Sequence, residues 1–415
     1  MPEQASFDRS GGDPCPCACF VCRARDFRQA GRLLLFLANF DKSIAVAFGE
    51  SFLKGRSGCW EAHLEAATDE PGFLQANYWT DEGIAAIKNR FHALKVLLVL
   101  PWNHPYSLGD RYRRSAKAFG LAERVIEFFE VLIDLDPVSA AARLHRHIDA
   151  FRPDVILCNG LTELFRDPSQ DALIERLSAV FEEARQKFGA RVVAIFSDAW
   201  MLPSDRITQG LNSSFDIVHH CHPALLQRAE LDSPNIYCYF HPTDCFQRRR
   251  SRWAQSRGRS LPVVSRSRIP VDSCGGHRLV CRICLSTLSK RNSDGKDMLP
   301  AENYANLLCE YQLTVGLTRR ANGVNIVTAR SIETLAVGGV LVEEDSFDAR
   351  YFLKPGLHFV PFKTWADLSE IIPWLLKSPN YRQHLAREGQ AWVQRHFSGD
   401  WFWAGLLDRL YPSGA

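Results

Sequence analysis

Residues 325–345 read NIVTARSIETLAVGGVLVEED, and this stretch decides the fold. Thr328 is a favoured N-cap residue type directly before an amphipathic run, so a helix is predicted over 329–337. Gly338 and Gly339 close that helix, because glycine accepts the left-handed conformation of a helix end. VLVEE, 340–344, then reads as a buried strand. Arg330 falls in the first helical turn and Glu333 three residues later, so the two share a face. The helix N-terminus offers unpaired N–H groups and the positive end of the helix dipole, a ready anion seat. Arg330 can add a forked donor to a diphosphate. The Glu333 carboxylate can accept hydrogen bonds from two neighbouring ribose hydroxyls. An ordinary surface helix carrying an Arg–Glu pair has the same spacing, so the pattern leaves both readings open.

Working outward, YQLTVGL (311–317) and HFVPF (358–362) read as strands. Helices are predicted over 301–311 (AENYANLLCEY), 365–376, 381–396 and 400–410. In the first half, strands are predicted at 94–100, 154–158, 191–196, 216–220 and 235–240, with helices at 137–151 and 171–188. Apolar strands alternating with amphipathic helices argue for βαβ units and parallel sheets. Four segments follow: an irregular tail (1–30), a Rossmann-like domain (31–242), an Arg/Ser/Cys-rich stretch (243–298) and a second α/β domain (299–415).

The pattern TARSIETLAVGGVLVEED, then YFLKPGLHFVPFKTWADLSEII, then LLKSPNYRQHLAREGQAWVQRHFSGDWFW, resembles a known family. Over 299–411 the chain is similar to the C-terminal domain of group 1 glycosyltransferases of the GT-B fold, in the spore-maturation-type subgroup. The resemblance implies an α/β fold of two Rossmann-like domains facing a cleft, with C-terminal helices. It implies transfer of a sugar from a nucleotide-sugar donor to a hydroxyl of a glycan, lipid or protein, with no further cofactor and no metal. Carried over residue by residue, Glu333 would bind the donor ribose and Arg330 would face the diphosphate. Gly338 and Gly339 would permit close packing beneath the site. Many group 1 enzymes carry a second acid eight residues before this glutamate; here that position is Asn325.

Other candidates come from strand ends. Arg319 and Arg320, in GLTRRANG, follow the 311–317 strand and suit a diphosphate or a solvated turn equally. Asp198, in FSDAW, follows the 191–196 strand and is a candidate acceptor ligand or base, or a turn cap. His222, in VHHCHP, is a candidate cleft imidazole. Asn159–Gly160, after the 154–158 strand, reads as a turn.

Cys274, His277, Cys281 and Cys284 have zinc-ligand chemistry, as do Cys15, Cys17, Cys19 and Cys22. They raise a zinc-dependent nucleic-acid binder as an alternative, but the first spacing lacks the usual long loop and neither cluster has an apolar frame. A more economical reading covers 246–285. Its Arg/Ser/Cys bias is that of an out-of-frame stretch of GC-rich coding DNA, and re-reading codons 240–300 decides it. A catalytically degenerate GT-B scaffold is the remaining alternative, favoured by Asn325.

Composition narrows the classes. The chain has 415 residues, 46% hydrophobic and 23% charged, which is the profile of a folded protein with a large core. Fifty Lys+Arg against 47 Asp+Glu leave +3, so global charge makes no case for a nucleic-acid partner. The longest apolar runs, 33–38 and 96–102, are far short of the ~20 residues that span a bilayer. The first residues, MPEQASFDRS, do not read as a secretory signal, so free thiols and a cytoplasmic site are expected. Peripheral membrane contact stays open through a lipid-linked acceptor.

Overall fold

The computed structural model describes residues 80–100, 108–127, 136–197, 199–202, 205–207, 215–227, 235–244, 308, 313–316 and 326–412. Its helices are α1 (Asp81–Arg90), α2 (Leu108–Phe119), α3 (Pro137–Phe151), α4 (Leu161–Arg166), α5 (Asp171–Phe188), α6 (Ala329–Ala336), α7 (Phe347–Phe352), α8 (Trp365–Lys377), α9 (Pro379–His396) and α10 (Gly399–Leu410). The strands are β1 (Lys95–Leu100), β2 (Ala122–Glu127), β3 (Val155–Asn159), β4 (Arg191–Phe196), β5 (Ile217–His220), β6 (Ile236–Cys238), β7 (Leu313–Gly316), β8 (Val340–Glu344) and β9 (Phe359–Phe362).

The continuous apolar runs of the first half need cover on both faces, and they receive it. Leu97, Val99, Ile156, Cys158, Val192, Ala194 and Phe196 pack with Leu144 and Ile148 of α3 and Leu177 and Phe181 of α5. The alternate residues Val96, Leu98, Val155, Leu157, Val193, Ile195 and Ile217 pack with Tyr112, Ala116 and Phe119 of α2 and Phe402 and Leu406 of α10. The strands form one parallel sheet in the order β2-β1-β3-β4-β5-β6. The chain starts inside the sheet at β1, goes out to β2 and crosses back to β3. The strand order therefore reverses between β1 and β3, where open α/β sheets bind ligands outside the carboxyl ends of their strands.

The Pro-Asp punctuation before β3 works as the sequence suggests. Asp136 caps α3, accepting from Val138 N at 2.9 Å and Ser139 N at 3.1 Å, with Pro137 in the first turn. The helix ends at Arg152 in a left-handed conformation (φ 52°). Asp154 then ties β3 to β1, its carboxylate accepting from Lys95 N at 2.8 Å. Edge strand β2, AERVIE, carries three charged residues in six, and that charge hides it from a search for apolar runs. Charge also hides α2, LGDRYRRSAKAF.

The second sheet has the parallel order β7-β8-β9. Val340, Val342, Val360 and Phe362 pack on Leu368, Ile371, Ile372 and Leu375 of α8. Leu341 and Phe359 face Ile332, Leu335 and Ala336 of α6. The helix end at 338–339 is a Schellman turn. Gly338 has φ +77° and donates to Leu335 O at 2.9 Å, and Gly339 donates to Thr334 O at 2.8 Å. Thus the architecture is two α/β domains, each with a parallel sheet, consistent with the expected GT-B arrangement. The last helix, α10, leaves the second sheet and packs on α1 and α2 beside the first. The stretches 1–79 and 245–307 lie outside the described residues, and with them both Cys-rich clusters.

Candidate functional site

Helices that follow parallel strands begin at the carboxyl edge of their sheet. So α2 begins at the carboxyl edge of the first sheet, and α6 at that of the second. Arg111, in the first turn of α2, forms an ion pair with Glu333 of α6. The side chains are only 6% and 2% exposed, so this is a buried pair joining the two domains. A second contact joins the same edges. Asp348 of α7, just after β8, accepts from Ala224 N at 2.6 Å, in the short helical turn that follows β5. Burial raises the Asp348 carboxyl to about 7, against the lowering effect of that N–H.

Imidazoles line the first-sheet side. Tyr112 Oη lies 2.6 Å from His241 Nδ1. Burial, with the charge of Arg111 and the neighbouring His222 adding to it, lowers His241 to about 3. His219 and His220 are likewise pushed well below the ordinary histidine range, chiefly by burial. His222 Nε2 lies 3.0 Å from Ser197 O, while its backbone N–H donates to His220 Nδ1 at 3.2 Å. Ser197 in turn donates to Asn159 Oδ1 at 3.0 Å. The carboxyl ends of β3, β4 and β5 are thereby stitched into one polar edge.

On the second-sheet side, Glu343 is wholly buried at the end of β8. Ser331 Oγ lies 3.0 and 2.9 Å from its two carboxyl oxygens. Thr328 Oγ1 is 3.2 Å from the same hydroxyl. Gly316, at the end of β7, has no room for a side chain: a Cβ there would lie 1.7 Å from Glu343 Oε2. Gly316→Ala is therefore expected to cost about 1–3 kcal/mol by overpacking, and Glu343→Ala in the same chain should recover part of the loss. Equal urea midpoints for the single and double variants would contradict this packing.

Arg330 and Ser331 lie in the first turn of α6 and Glu333 one turn on, as expected from the helix pattern. Glu333 meets Arg111 from the other domain, and the sequence reading assigned Arg111 no role. Gly338 and Gly339 close α6. His222 sits at the first sheet's carboxyl edge. Asp198, Arg319, Arg320 and Asn325 lie outside the described residues. The sequence reading also passed over Glu343, although an acid ending an apolar strand is a visible signal. No group of three or more metal-ligand side chains occurs among the described residues. No described helix is long and apolar enough to cross a membrane.

The buried ionisable groups set opposite pH slopes. His219, His220 and His241 take up protons more readily unfolded than folded. Their contribution is full above about pH 6.5 and is lost as pH falls below it, by at most about 1.4 kcal/mol per pH unit each. Glu343, raised to about 8 by burial, and Asp348, raised to about 7, act the other way. They stabilise fully below their unfolded values and lose that contribution as pH rises through about 7 and 8. Stability is expected to peak near pH 6–7, measured by urea unfolding across pH 5–9. A profile still rising from pH 7 to 9 would contradict the assignment.

Residues 267–408 match the glycosyl transferase-like family model. The match opens at residue 267, inside the biased stretch 246–285. A comparison with curated proteins gives no match. Among solved structures, the chain is similar to sucrose-phosphate synthase from Thermosynechococcus elongatus, at 14% identity, covering 76% of this chain and 98% of that one, with TM-score 0.46. It is similar to Anabaena HepE in complex with UDP-glucose, at 12% identity over 76% and 99% of the two chains, with TM-score 0.46. It is also similar to a glycosyltransferase from Rickettsia africae, at 13% identity over 77% and 99%, with TM-score 0.47.

Proposed function

We propose that this protein is a glycosyltransferase of the GT-B type, transferring a sugar from a nucleotide-sugar donor to a hydroxyl of a glycan, lipid or protein. The observation that carries the reading is the match of 267–408 to the glycosyl transferase-like model. Within that span lies α6, the helix bearing Arg330 and Glu333. In this reading, the first-turn N–H groups of α6 and the Arg330 guanidinium take the donor diphosphate, with Arg319 and Arg320 as further cationic ligands. They stabilise the charge that develops as the glycosidic bond to the diphosphate breaks. Glu333 takes the ribose hydroxyls, and Gly338 and Gly339 let the β8 backbone pack close beneath. Asp198, which follows the β4 segment in the sequence, or His222, from the first sheet's carboxyl edge, receives the acceptor hydroxyl proton. The spore-maturation-type subgroup, hexosyl specificity and a cytoplasmic site belong to the same proposal.

One observation favours a second reading, a GT-B scaffold without transfer activity. Glu333 is 1% exposed and engaged by Arg111. A ribose reaches that carboxylate only after Arg111 has moved aside.

The test is thermal unfolding of the full chain with a panel of nucleoside diphosphates and nucleotide sugars, followed by assay of diphosphate release. A ligand present at 100 times its Kd adds about 2.7 kcal/mol to stability. Stabilisation by one nucleotide series, lost in Arg330→Gln, supports the transferase. A folded protein that answers to none of them leaves the scaffold reading in place.

A further inference from the structure

Glu343 takes no part in the chemistry above, yet it lies directly under the helix turn that the chemistry uses. Both of its oxygens lie within 3.0 Å of Ser331 Oγ, and Ser331 is next to Arg330 on α6. The hydroxyl chain continues to Thr328, the N-cap. Gly316 leaves the carboxyl group its space, since a Cβ there would lie 1.7 Å from Glu343 Oε2. We propose that Glu343 is a positioning residue for diphosphate binding, which holds the first turn of α6 through Ser331 and Thr328 and stays uncharged while the ligand is bound. The inference rests on the donor reading of α6.

An uncharged carboxyl group fits this geometry. One oxygen accepts the Ser331 hydroxyl, and the other, protonated, can donate back to the same Oγ. An ionised carboxylate here would place a fixed negative charge behind the seat meant for two phosphates. A negative charge near a helix N-terminus gains from the dipole, but complete burial costs it more. Burial indeed raises the group to about 8; Ser331 and Arg330 oppose the rise and Glu344 adds to it. Its register neighbours, Gly316 on β7 and Pro361 on β9, carry no charge. Arg330 from α6 and Glu344 along β8 are thus the charged groups that act on it among the described residues.

Glu343→Gln mimics the neutral acid in shape, and its amide can both accept from and donate to Ser331. The probe is inorganic pyrophosphate, titrated calorimetrically into the full chain from pH 6.5 to 9.5. The quantity read is the ratio of wild-type to Glu343→Gln affinity, in which the ligand's own ionisation cancels. The ratio should stay near one at pH 6.5 and fall about tenfold by pH 9.5, equivalent to about 1.4 kcal/mol of repulsion. Infrared difference spectra between the two proteins should show a protonated-carboxyl band at pH 7 that disappears above about pH 8. A flat ratio, or no such band at pH 7, overturns the inference and leaves the transferase reading intact. No pyrophosphate binding by either folded protein at any pH removes the diphosphate seat proposed on α6, and the inference with it.

Discussion

Glu333→Ala should destabilise the protein by about 3–5 kcal/mol, because it leaves Arg111 charged and buried without this carboxylate. Arg111→Ala should cost a similar amount for the mirror-image reason. The pair Arg111→Met with Glu333→Leu should recover most of the loss, since a buried ion pair exchanged for apolar side chains of similar volume is often neutral. Urea midpoints of the wild type, the two single alanine variants and the double alanine variant, at unchanged m-value, give the coupling energy. Additive single losses, with no recovery in the double variant, would mean that the two side chains do not support each other. The outcome also bears on function, because the carboxylate proposed for the ribose is the one that closes the domain contact. A donor that binds the wild type should weaken the hold of Arg111 on Glu333, and should bind the Arg111→Met variant more tightly.

Trp403→Ala is expected to be the most damaging apolar truncation, at about 3–5 kcal/mol. The indole is fully buried, and its Nε1–H donates to Ser115 Oγ at 2.9 Å. Ser115 Oγ donates onward to Tyr112 O at 2.9 Å, so the loss reaches the helix that carries Arg111. The neighbouring Phe402 ring lies against those of Tyr112, His219 and Tyr237, under the first sheet. Gly399 permits the approach, since a Cβ there would lie 2.3 Å from Ser115 Cβ. Trp403→Phe separates packing from hydrogen bonding and should cost on the order of 1 kcal/mol for the lost bond plus the lost ring volume. Chemical denaturation followed by circular dichroism measures both, and a Trp403→Ala loss below about 1 kcal/mol would show that α10 is not integral to the first domain.

The parallel strands were legible because burial on both faces leaves nothing but apolar runs, as in VLLVL, VILC and VVAIF. The end of α6 was legible because glycine is the residue best suited to the left-handed turn at 338. Charge concealed the rest. Strand β2 and helix α2 present Glu, Arg and Lys residues, so neither stands out as an apolar run, and Arg111 lay unnoticed in LGDRYRR. Residue spacing could place Arg330 and Glu333 on one face of a helix. It could not foresee that Glu333 would meet an arginine 222 residues earlier in the chain. Glu343 was visible as an acid at the close of an apolar strand. Its role depends on Gly316 and Ser331, which only the folded chain brings beneath it.

The return of α10 has a consequence for biosynthesis. Ser115 and Trp403, which meet in the first domain, are separated by 288 residues. At about 5–20 residues per second, a ribosome needs roughly 15–60 s to make the intervening chain. Throughout that interval the face of α1 and α2 that receives α10 stands uncovered, with Tyr112 and Phe119 open to water or to a chaperone. The domain begun first is thus among the last to be finished, and the second sheet must be translated before the first can close.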